Sequence, residues 1–549
     1  MPKYGGRRYT QKNNPVWLFV SLGAAALVLT LFLTGVFSLP TNSGESNTPS
    51  PSPAITNAPP SPTQAVPTPA PETSPDPSAT PVQGEAPAGA GRPTNAPKTS
   101  YALAMELRPS HNRLYAMLRV EYENVTGDTL YELPFHLHPN AYQNASAPGN
   151  GEASDSYSGN FDVGDVIVSS VSLNGDLAYF KISDDGMLLT VPFIKELLPG
   201  ERAEVAIEFV VDVPERDGRF GRTELGYQLG NFLPILAVYQ DGGWITDGYA
   251  PIGDPYYSEV ADYRVAFTYP AEYSLATTGT VTGTEKNGAS ATSYVAATRV
   301  REFACMLGLS MQQAKETQGD VTIYSYALSD GSATRAAGIA KNVLSTLSPI
   351  LGNYPYSTLT IAQADMAYAG MEYPNLLMVQ RELYLAGREL ELELTIAHEI
   401  IHQWFYGLVG SDQYNAPWLD ESLTSYLSLV YFERTGNTAA YGALSSRYLV
   451  ERAALGGKID GALPSYATED AYVNSSYWRG AAMFAALREK IGDEAFFNGL
   501  RAYIEDNAYG VATKAELVSA FEQAANAELA EWFDAQLAPP GGAGAADAA

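Results

Sequence analysis

From Tyr101 onward, apolar and polar residues alternate in runs of strand length. The runs YALAMELRP and RLYAMLRVEYEN keep a period of two, and similar runs continue as far as FACMLGLS. Alternation of this kind is typical of antiparallel strands with one face in a core and the other in solvent. The pattern therefore predicts an N-terminal antiparallel β domain over residues 101–312.

The pattern changes after residue 312. VTIYSYAL and TLTIAQA predict short strands on either side of a helical run, and GMEYPNLLMVQ predicts a segment at a sheet edge. Helical spacing then dominates LELELTIAHEIIHQWFYGLV, DESLTSYLSLVYFERTG, SSYWRGAAMFAALREKIG and KAELVSAFEQAA, with Gly436 and Gly492 where C-caps are expected. These features predict a mostly helical second domain over residues 313–538 and a disordered tail over 539–549.

A long apolar stretch lies near the start of the chain. Val16–Leu39 contains 24 residues and no charge, which is enough to cross a bilayer. Residues 1–15 carry four basic side chains and no acidic one, and the next basic residue after the stretch is Arg92. This asymmetry predicts a single-pass anchor in the cell membrane, with a cytoplasmic N-terminal tail and everything after the anchor outside the cell. A cleaved signal peptide is the alternative, which the length of the stretch and the lack of an A-x-A site disfavour.

Residues 40–100 have a proline every few positions and almost no large apolar side chain. Such a composition cannot bury enough apolar surface to fold. In polyproline II geometry a segment of this length reaches on the order of 150 Å. We interpret it as a disordered stalk between the anchor and the folded part.

Charge and cysteine content narrow the possible functions. The formal net charge is −28, from 61 acidic and 33 basic residues, so nucleic acid would be repelled as a partner. We interpret the acidity as a solubilising surface rather than a means of attracting cationic substrates. Cys305 is the one cysteine, which excludes an intrachain disulfide. Its alternation with Phe303, Leu307 and Leu309 predicts a core position of a strand.

Two of the five histidines stand close together in PFHLHPN. His136 and His138 would point to the same side of one strand, as metal ligands sometimes do. No third ligand is evident nearby in the sequence, so we expect a structural role for both.

The stretch AHEIIHQWF places two further histidines four residues apart, with a glutamate between them. On a helix, His398 and His402 share one face, so both can reach one metal ion. Glu399 lies about 100° round the helix from His398, where it can touch a ligand of the metal without binding the metal itself. A catalytic zinc site requires a third protein ligand.

The candidate third ligand is Glu421, separated from His402 by eighteen residues and found in WLDESLTSY. It opens a second helix after a loop that contains Pro417, so a helix–loop–helix could return it to the first helix. A carboxylate that caps a helix start is the alternative interpretation of the same residue. The spacing alone leaves both interpretations open.

Together, HEIIHQWF and Glu421 in PWLDESLTSY resemble the aminopeptidase N family of zinc metallopeptidases, the gluzincin aminopeptidases that include leukotriene hydrolase. Two further motifs are similar to that family in order and spacing. AGMEYP resembles its amine-binding segment, which implies that Glu372, with Gly370 and Met371, holds the substrate. SSYWRG resembles its tyrosine segment, which implies that Tyr477 stabilises the transition state.

The resemblance covers roughly residues 101–537 and implies a thermolysin-like α+β, mostly helical catalytic domain after the β domain. It implies one Zn²⁺ held by His398, His402 and Glu421, with Glu399 as the general base. The expected activity is removal of N-terminal residues from peptides with a free N-terminus, by attack of a metal-activated water. An endopeptidase of the same fold and a non-catalytic binding ectodomain are the alternatives.

The motifs also depart from those of the family. Ala369 and Tyr373 replace a glycine and an asparagine of the amine-binding segment. Asp420 replaces the asparagine before the third ligand, and Arg479 replaces the lysine after the tyrosine. GNFLPILAVYQDGGW stands where the family has an arginine- and proline-rich signature, so a second residue that holds the substrate amine is unassigned. No counterpart of the large C-terminal helical domain of many members follows residue 537, which predicts a more open cleft.

Overall fold

Strands make up the first part of the structure. The computed structural model describes residues 97–144 and 161–540. The strands of the first part are β1 Thr99–Arg108, β2 Arg113–Glu123, β3 Leu130–His136, β4 Asp165–Leu173, β5 Asp176–Leu177, β6 Lys181–Ile182, β7 Leu188–Leu197, β8 Arg202–Asp212, β9 Phe220–Thr223, β10 Gly226–Leu229, β11 Ile235–Leu236, β12 Tyr239–Gln240, β13 Gly243–Trp244, β14 Ala261–Pro270, β15 Tyr273–Thr277, β16 Thr280–Asn287, β17 Ser290–Val300 and β18 Cys305–Leu309. Buried and half-buried residues alternate along all ten positions of β1, as the sequence pattern predicts.

These strands form one large sheet with smaller sheets beside it. Within the described ranges the large sheet has eight strands in the order β16-β17-β14-β1-β2-β8-β4-β5, and two four-stranded sheets run β15-β18-β10-β9 and β11-β3-β7-β6. Neighbouring strands are antiparallel except β1 and β14, which pair in parallel. The prediction of an antiparallel domain was wrong for this pair. The two strands are distant in sequence, so no local pattern reveals their relative direction.

A five-stranded sheet and a set of helices form the second part. Its strands are β19 Gln312–Gln318, β20 Val321–Ala327, β21 Thr358–Ala364, β22 Gly370–Met371 and β23 Leu376–Gln380. They run in the order β19-β20-β21-β23-β22. The predicted edge position of GMEYPNLLMVQ is confirmed for β22 but wrong for β23, which lies between β21 and β22. The helices are α1 Asp330–Leu351, α2 Glu389–Ile401, α3 Trp418–Arg434, α4 Thr438–Ser445, α5 Glu469–Tyr472, α6 Gly480–Ile491, α7 Asp493–Asp506, α8 Lys514–Ala525 and α9 Ala530–Leu537.

Each part has its own apolar core, and a smaller apolar cluster joins them. The joining cluster contains Met371 and Tyr373 from the second part and Leu225 and Met306 from the first. The segment around β22 is therefore packed against the β domain. This junction matters for the site because β22 leads directly into Glu372.

The first helix of the HEIIH motif is shorter than predicted. The apolar spacing of LELELTIAHEIIHQWFYGLV predicts one continuous helix, but α2 ends at Ile401. The backbone of Tyr406 has a φ of 119°, which a helix cannot contain. Arg301 from the β domain donates to the carbonyl oxygens of Tyr406 and Gly510. A buried guanidinium thus satisfies a carbonyl that a continuing helix would have bonded itself.

Cys305 lies at the start of β18 and is fully buried, which confirms the predicted core position. Burial raises the pKa of its thiol. His136 ends β3, whereas His138 begins the 3-10 turn that follows, so the prediction that they share a strand was wrong. Their rings stack with centroids 5.2 Å apart. Neither belongs to a group of metal-ligand type among the described residues.

The predictions for the start and the end of the chain lie mostly outside the described residues. These are the basic tail 1–15, the anchor 16–39, most of the stalk 40–100 and the tail 541–549. Thr99 and Ser100, which we assigned to the stalk, belong to β1. In residues 97–144 and 161–540, every helix is too short or too polar to span a bilayer.

Candidate metal and peptide-binding site

Three predicted metal ligands converge on one point. His398 and His402 lie one turn apart at the end of α2, and Glu421 lies in the first turn of α3. Their facing atoms form a triangle: the two Nε2 atoms are 3.2 Å apart, and each is 3.4 Å from Glu421 Oε2. All three side chains are buried. The helix–loop–helix returns Glu421 to the first helix, and Glu421 also lies in the first turn of α3, where the capping interpretation places it.

The triangle has the dimensions of a zinc site. Tetrahedral zinc with ligand bonds of about 2.0–2.1 Å separates neighbouring donor atoms by about 3.3–3.4 Å. Glu421 Oε2 is buried and accepts no hydrogen bond from any described residue. Two imidazoles and a carboxylate are also a donor set that zinc prefers in catalytic sites. The residues present therefore fit one zinc ion.

Hydrogen bonds on the far side of each imidazole fix its orientation. Nδ1 of His402 lies 3.1 Å from the carbonyl oxygen of Phe405 and 3.4 Å from the hydroxyl of Thr424. Nδ1 of His398 lies 3.5 Å from the hydroxyl of Ser428. A carbonyl partner places the proton of His402 on Nδ1, because a carbonyl can only accept. Nε2 is then free to bind a metal, as is usual for such ligands.

Asp420 holds the start of α3. Its Oδ1 accepts the backbone N–H of Glu421 at 2.7 Å, and its Oδ2 accepts from Gln413 Nε2 at 2.8 Å. Both oxygens of this aspartate are thus used to position the third ligand. The departure from the family's asparagine at this position keeps an acceptor next to Glu421.

Glu399 faces the same cavity as the ligands. It is buried, and burial together with the neighbouring Glu372 raises its pKa well above the usual range. Gly370 of β22 runs directly over it, since a Cβ at Gly370 would lie 2.5 Å from Glu399 Oε1. A glycine at position 370 therefore gives this carboxyl group its space.

Glu372 follows β22 and points into the cavity. Only 4% of the residue is exposed, and no hydrogen-bond donor among the described residues reaches its Oε1. Burial raises its pKa to about 7, an effect that His402 opposes and Asp254 adds to. The amide of Gln403, the residue after His402, donates to the carbonyl oxygen of Glu372 at 3.2 Å. Such a buried, unsatisfied acceptor is a place for a cationic or hydrogen-bonding ligand.

Tyr477 lies on a π-helical turn, Val473–Arg479, that leads into α6. Its ring stacks over His398 with centroids 5.9 Å apart, and its hydroxyl donates to Glu421 Oε1. π-helical turns are rare and frequent at functional sites. Arg479, which replaces the family's lysine, donates to the carbonyl oxygens of Gln536 and Ala538, so it ties this turn to the end of α9.

Sequence reasoning missed Asp254. It lies in the long loop between β13 and β14, is 5% exposed, and lines the cavity. Oxygen atoms of Asp254, Glu372 and Glu421 all lie within 4.8 Å of one another. Buried Arg219 pairs with Asp254, with Nη1 2.5 Å from Oδ1. The loop carries no periodic pattern, so the sequence gives no signal that this aspartate reaches the site.

All eight predicted site residues line one cavity, together with Asp254, Tyr368 and Ala369. The eight are Gly370, Met371, Glu372, His398, Glu399, His402, Glu421 and Tyr477. Four carboxyl groups therefore surround the cavity, and the buried Arg219 is paired to one of them. Mutual repulsion and burial both disfavour so many negative charges, so the cavity favours bound cations. The roles assigned to the eight residues stay predictions.

The β domain packs on a helical domain, and the HEIIH motif and Glu421 converge on one cavity. This combination of fold and site is that of a metallopeptidase. Residues 339–535 match the Peptidase family M1 domain. This match supports, over that part of the chain, the resemblance to the aminopeptidase N family that the sequence motifs predict.

Relatives and solved structures agree with this family. The chain is 29% identical over 199 residues to aminopeptidase N of Lactococcus lactis subsp. lactis, covering 33% of this chain and 23% of the relative. It is 29% identical over 161 residues to aminopeptidase N of Streptomyces lividans, covering 27% of this chain and 18% of the relative. The chain thus aligns with less than a quarter of the length of these relatives. The M1 zinc metallopeptidase from Deinococcus radiodurans shares the fold, with a TM-score of 0.59, 19% identity, and coverage of 80% of this chain and 94% of that chain.

Proposed function

We propose that this protein is a zinc aminopeptidase that removes N-terminal residues from peptides. The observation that carries the proposal is the donor triangle of His398, His402 and Glu421 beside the buried, unsatisfied carboxylate of Glu372. The triangle supports a zinc ion, and the carboxylate supports a substrate with a free ammonium group. One of the structures of the Deinococcus radiodurans relative is bound to a Tyr-Ser-Ala substrate, which supports peptides as the substrate class.

Glu399 is the proposed general base. Zinc, when bound, supplies a Lewis acid that lowers the pKa of a coordinated water to about 7. Glu399 lies in the same cavity without belonging to the donor triangle, so it can take a proton from the attacking water and later deliver it to the leaving amine. Tyr477 can donate to the oxyanion that develops on the scissile carbonyl, since its hydroxyl already lies at Glu421.

Glu372 is the residue proposed to bind the substrate ammonium, and Asp254 lies beside it. An ammonium between these carboxylates satisfies Glu372 Oε1 and relieves the repulsion among the acidic groups. Because the ammonium is held at a fixed place next to the metal position, cleavage falls after the first residue. This feature distinguishes an aminopeptidase from an endopeptidase of the same fold.

We also propose that the protein is anchored in the cell membrane by residues 16–39, with the peptidase outside the cell. The support is the uncharged length of that stretch and the basic residues that precede it. Protease protection of the N-terminal tail in sealed cells, with digestion of the peptidase domain, is the expected result. Digestion of both would contradict the proposal.

The test of the activity uses the full chain purified in detergent. Metal content is measured by mass spectrometry, and kcat/KM is compared for one peptide in free and N-acetylated forms. We expect bound zinc and a strong preference for the free amine. Glu399→Gln should retain zinc and lose about 10²- to 10⁴-fold in kcat, whereas Glu389→Gln, at the exposed start of the same helix, should behave as wild type. Equal cleavage of both peptides would favour the endopeptidase, and full activity of Glu399→Gln would overturn its role.

A further inference from the structure

A buried chain of hydrogen bonds runs behind the cavity and crosses from the catalytic part into the β domain. The hydroxyl of Tyr373 donates to Asn231 Oδ1 at 2.9 Å. Asn231 Nδ2 then donates to Glu302 Oε2, and the hydroxyl of Tyr406 donates to Glu302 Oε1. All four residues are buried. Glu302 therefore accepts one bond on each oxygen, one from Asn231 of the β domain and one from Tyr406 of the catalytic part.

The β domain is shaped to receive Tyr373. A Cβ at Gly230 would lie 1.8 Å from the Tyr373 hydroxyl, so only a glycine leaves room for the phenol. Asn231, the next residue, has a left-handed φ of 52° that turns its amide toward the phenol. The tyrosine that departs from the family motif is thus matched by two residues of the β domain.

Each end of this chain of hydrogen bonds lies next to a predicted functional residue or to its hydrogen-bond partner. Tyr373 directly follows Glu372, and both are held by Gln403, whose amide donates to their carbonyl oxygens at 3.2 and 3.4 Å. At the other end, Tyr406 follows Phe405, whose carbonyl oxygen bonds His402 Nδ1. A shift of Tyr373 moves the amine end, and a shift of Tyr406 moves the carbonyl that orients a metal ligand.

We propose that Glu302 is a positioning residue of the β domain that fixes the amine-reading end of the site through Asn231 and Tyr373, and the metal end through Tyr406. The proposal has two arms: the amine arm runs from Glu302 through Asn231 and Tyr373, and the metal arm runs from Glu302 through Tyr406. Only the amine arm rests on the proposed aminopeptidase function. The metal arm stands on zinc binding, which is measured without any substrate. Glu302 touches neither the substrate position nor a metal ligand, so its effect is indirect.

Three substitutions separate the two arms. Tyr373→Phe removes only the bond to Asn231, and Tyr406→Phe removes only one bond to Glu302. Glu302→Gln keeps the shape but offers one acceptor where two donors need one each. Tyr269→Phe is the matched control. Tyr269 is a buried tyrosine of β14 whose hydroxyl bonds Ser293 of β17, and neither residue lines the cavity.

We expect Tyr373→Phe to lower kcat/KM about tenfold for a free-amine peptide, with less than a twofold change for its N-acetylated form, because a small displacement of Glu372 weakens only contacts to the ammonium. Tyr406→Phe should weaken zinc binding by roughly tenfold in a chelator competition. Without its bond to Glu302, residue 406 no longer holds the neighbouring Phe405 carbonyl that orients His402. Glu302→Gln should show both effects, and Tyr269→Phe neither. Adding Tyr373→Phe to Glu302→Gln should cost the amine preference nothing further, since both act through one chain.

Wild-type amine preference and zinc affinity in a folded Glu302→Gln protein would overturn the proposal. If Glu302→Gln fails to fold, Tyr373→Phe and Tyr406→Phe decide, and wild-type behaviour of both overturns it equally. If the unsubstituted protein shows no preference for the free amine, the proposed aminopeptidase function fails. The zinc affinities of Tyr406→Phe and Glu302→Gln then still test the role of Glu302.

Discussion

The two ends of the candidate site are built in different ways. At the metal end, the donor atoms stand on two helices, α2 and α3, that follow one another in the chain. At the amine end, Glu372 stands on an extended segment and Asp254 on a loop of the β domain. The metal end thus depends on local spacing, and the amine end depends on how two parts of the molecule pack. The difference predicts that substitutions at the metal end abolish function, whereas those at the amine end change selectivity.

The largest effect is expected for loss of a ligand. Glu421→Ala leaves two protein donors, so we expect loss of zinc and of all measurable turnover. Glu433→Ala, on the same helix but paired with Arg488 at its far end, should keep zinc. The check is metal content after dialysis. If Glu421→Ala binds zinc as tightly as the parent, the third ligand lies elsewhere and the contrast between the two ends is lost.

Loss of the tyrosine hydroxyl should be the next largest effect. We expect Tyr477→Phe to lower kcat by about 100- to 1000-fold with little change in KM, because the bond to the oxyanion is made mainly in the transition state. Tyr472 packs against Tyr477 with ring centroids 5.4 Å apart but does not line the cavity. Tyr472→Phe is therefore the control. A loss of only a few-fold in Tyr477→Phe, with a large loss in Tyr472→Phe, would move the role to the latter.

At the amine end, Glu372→Ala should reduce kcat/KM for free-amine peptides by about 2 kcal/mol or more, which is at least about 30-fold, since an ammonium is left unpaired in a buried cavity. N-acetylated peptides should be far less affected, so the preference between the two shrinks. Glu382→Ala, in the turn after β23, is the control. An equal loss on both peptides would show that Glu372 does not read the amine.

The smallest effect is expected for the second carboxylate. Asp254→Asn keeps the size of the side chain and removes one charge, so we expect about a tenfold loss in kcat/KM for free-amine peptides, as for one charge-assisted hydrogen bond. Asp247→Asn, an exposed residue of the same loop, should have no effect. The melting temperature must be followed in parallel, because Arg219 loses its buried partner. An unchanged preference for the free amine in a folded variant would remove Asp254 from the amine end.

The comparison also explains what the sequence could predict. His398, Glu399 and His402 lie within five residues of one helix. The helical period alone therefore fixes how their side chains are placed relative to one another. Glu372 and Tyr477 were found through motifs that resemble a family, and the structure brings both to the cavity. Asp254 could not be found, because its position depends on a loop whose course is set by packing against residues hundreds of positions away. The end of α2 was missed for the same reason, since Arg301 reaches it from the β domain.

The same distinction between local and distant relations separates the parts of the fold that the sequence predicts from those that it does not. Strand alternation predicts an N-terminal β domain, and the structure shows strands from β1 at Thr99 through β18 before the helical part. The parallel pairing of β1 and β14 escaped prediction because it joins segments far apart in sequence. Local periodicity reveals which residues face a core, and it says nothing about which distant segment lies on the other side.

The buried thiol of Cys305 gives the molecule a reporter of its own opening. It lies in β18, between β10 and β15, so a thiol reagent can reach it only when that strand separates from its neighbours. The labelling rate of the full chain, which has no other cysteine, therefore measures opening of the β domain. Release of bound zinc would measure opening of the helical part in the same sample. Following both signals during one heating ramp would reveal whether the two parts come apart together or in sequence.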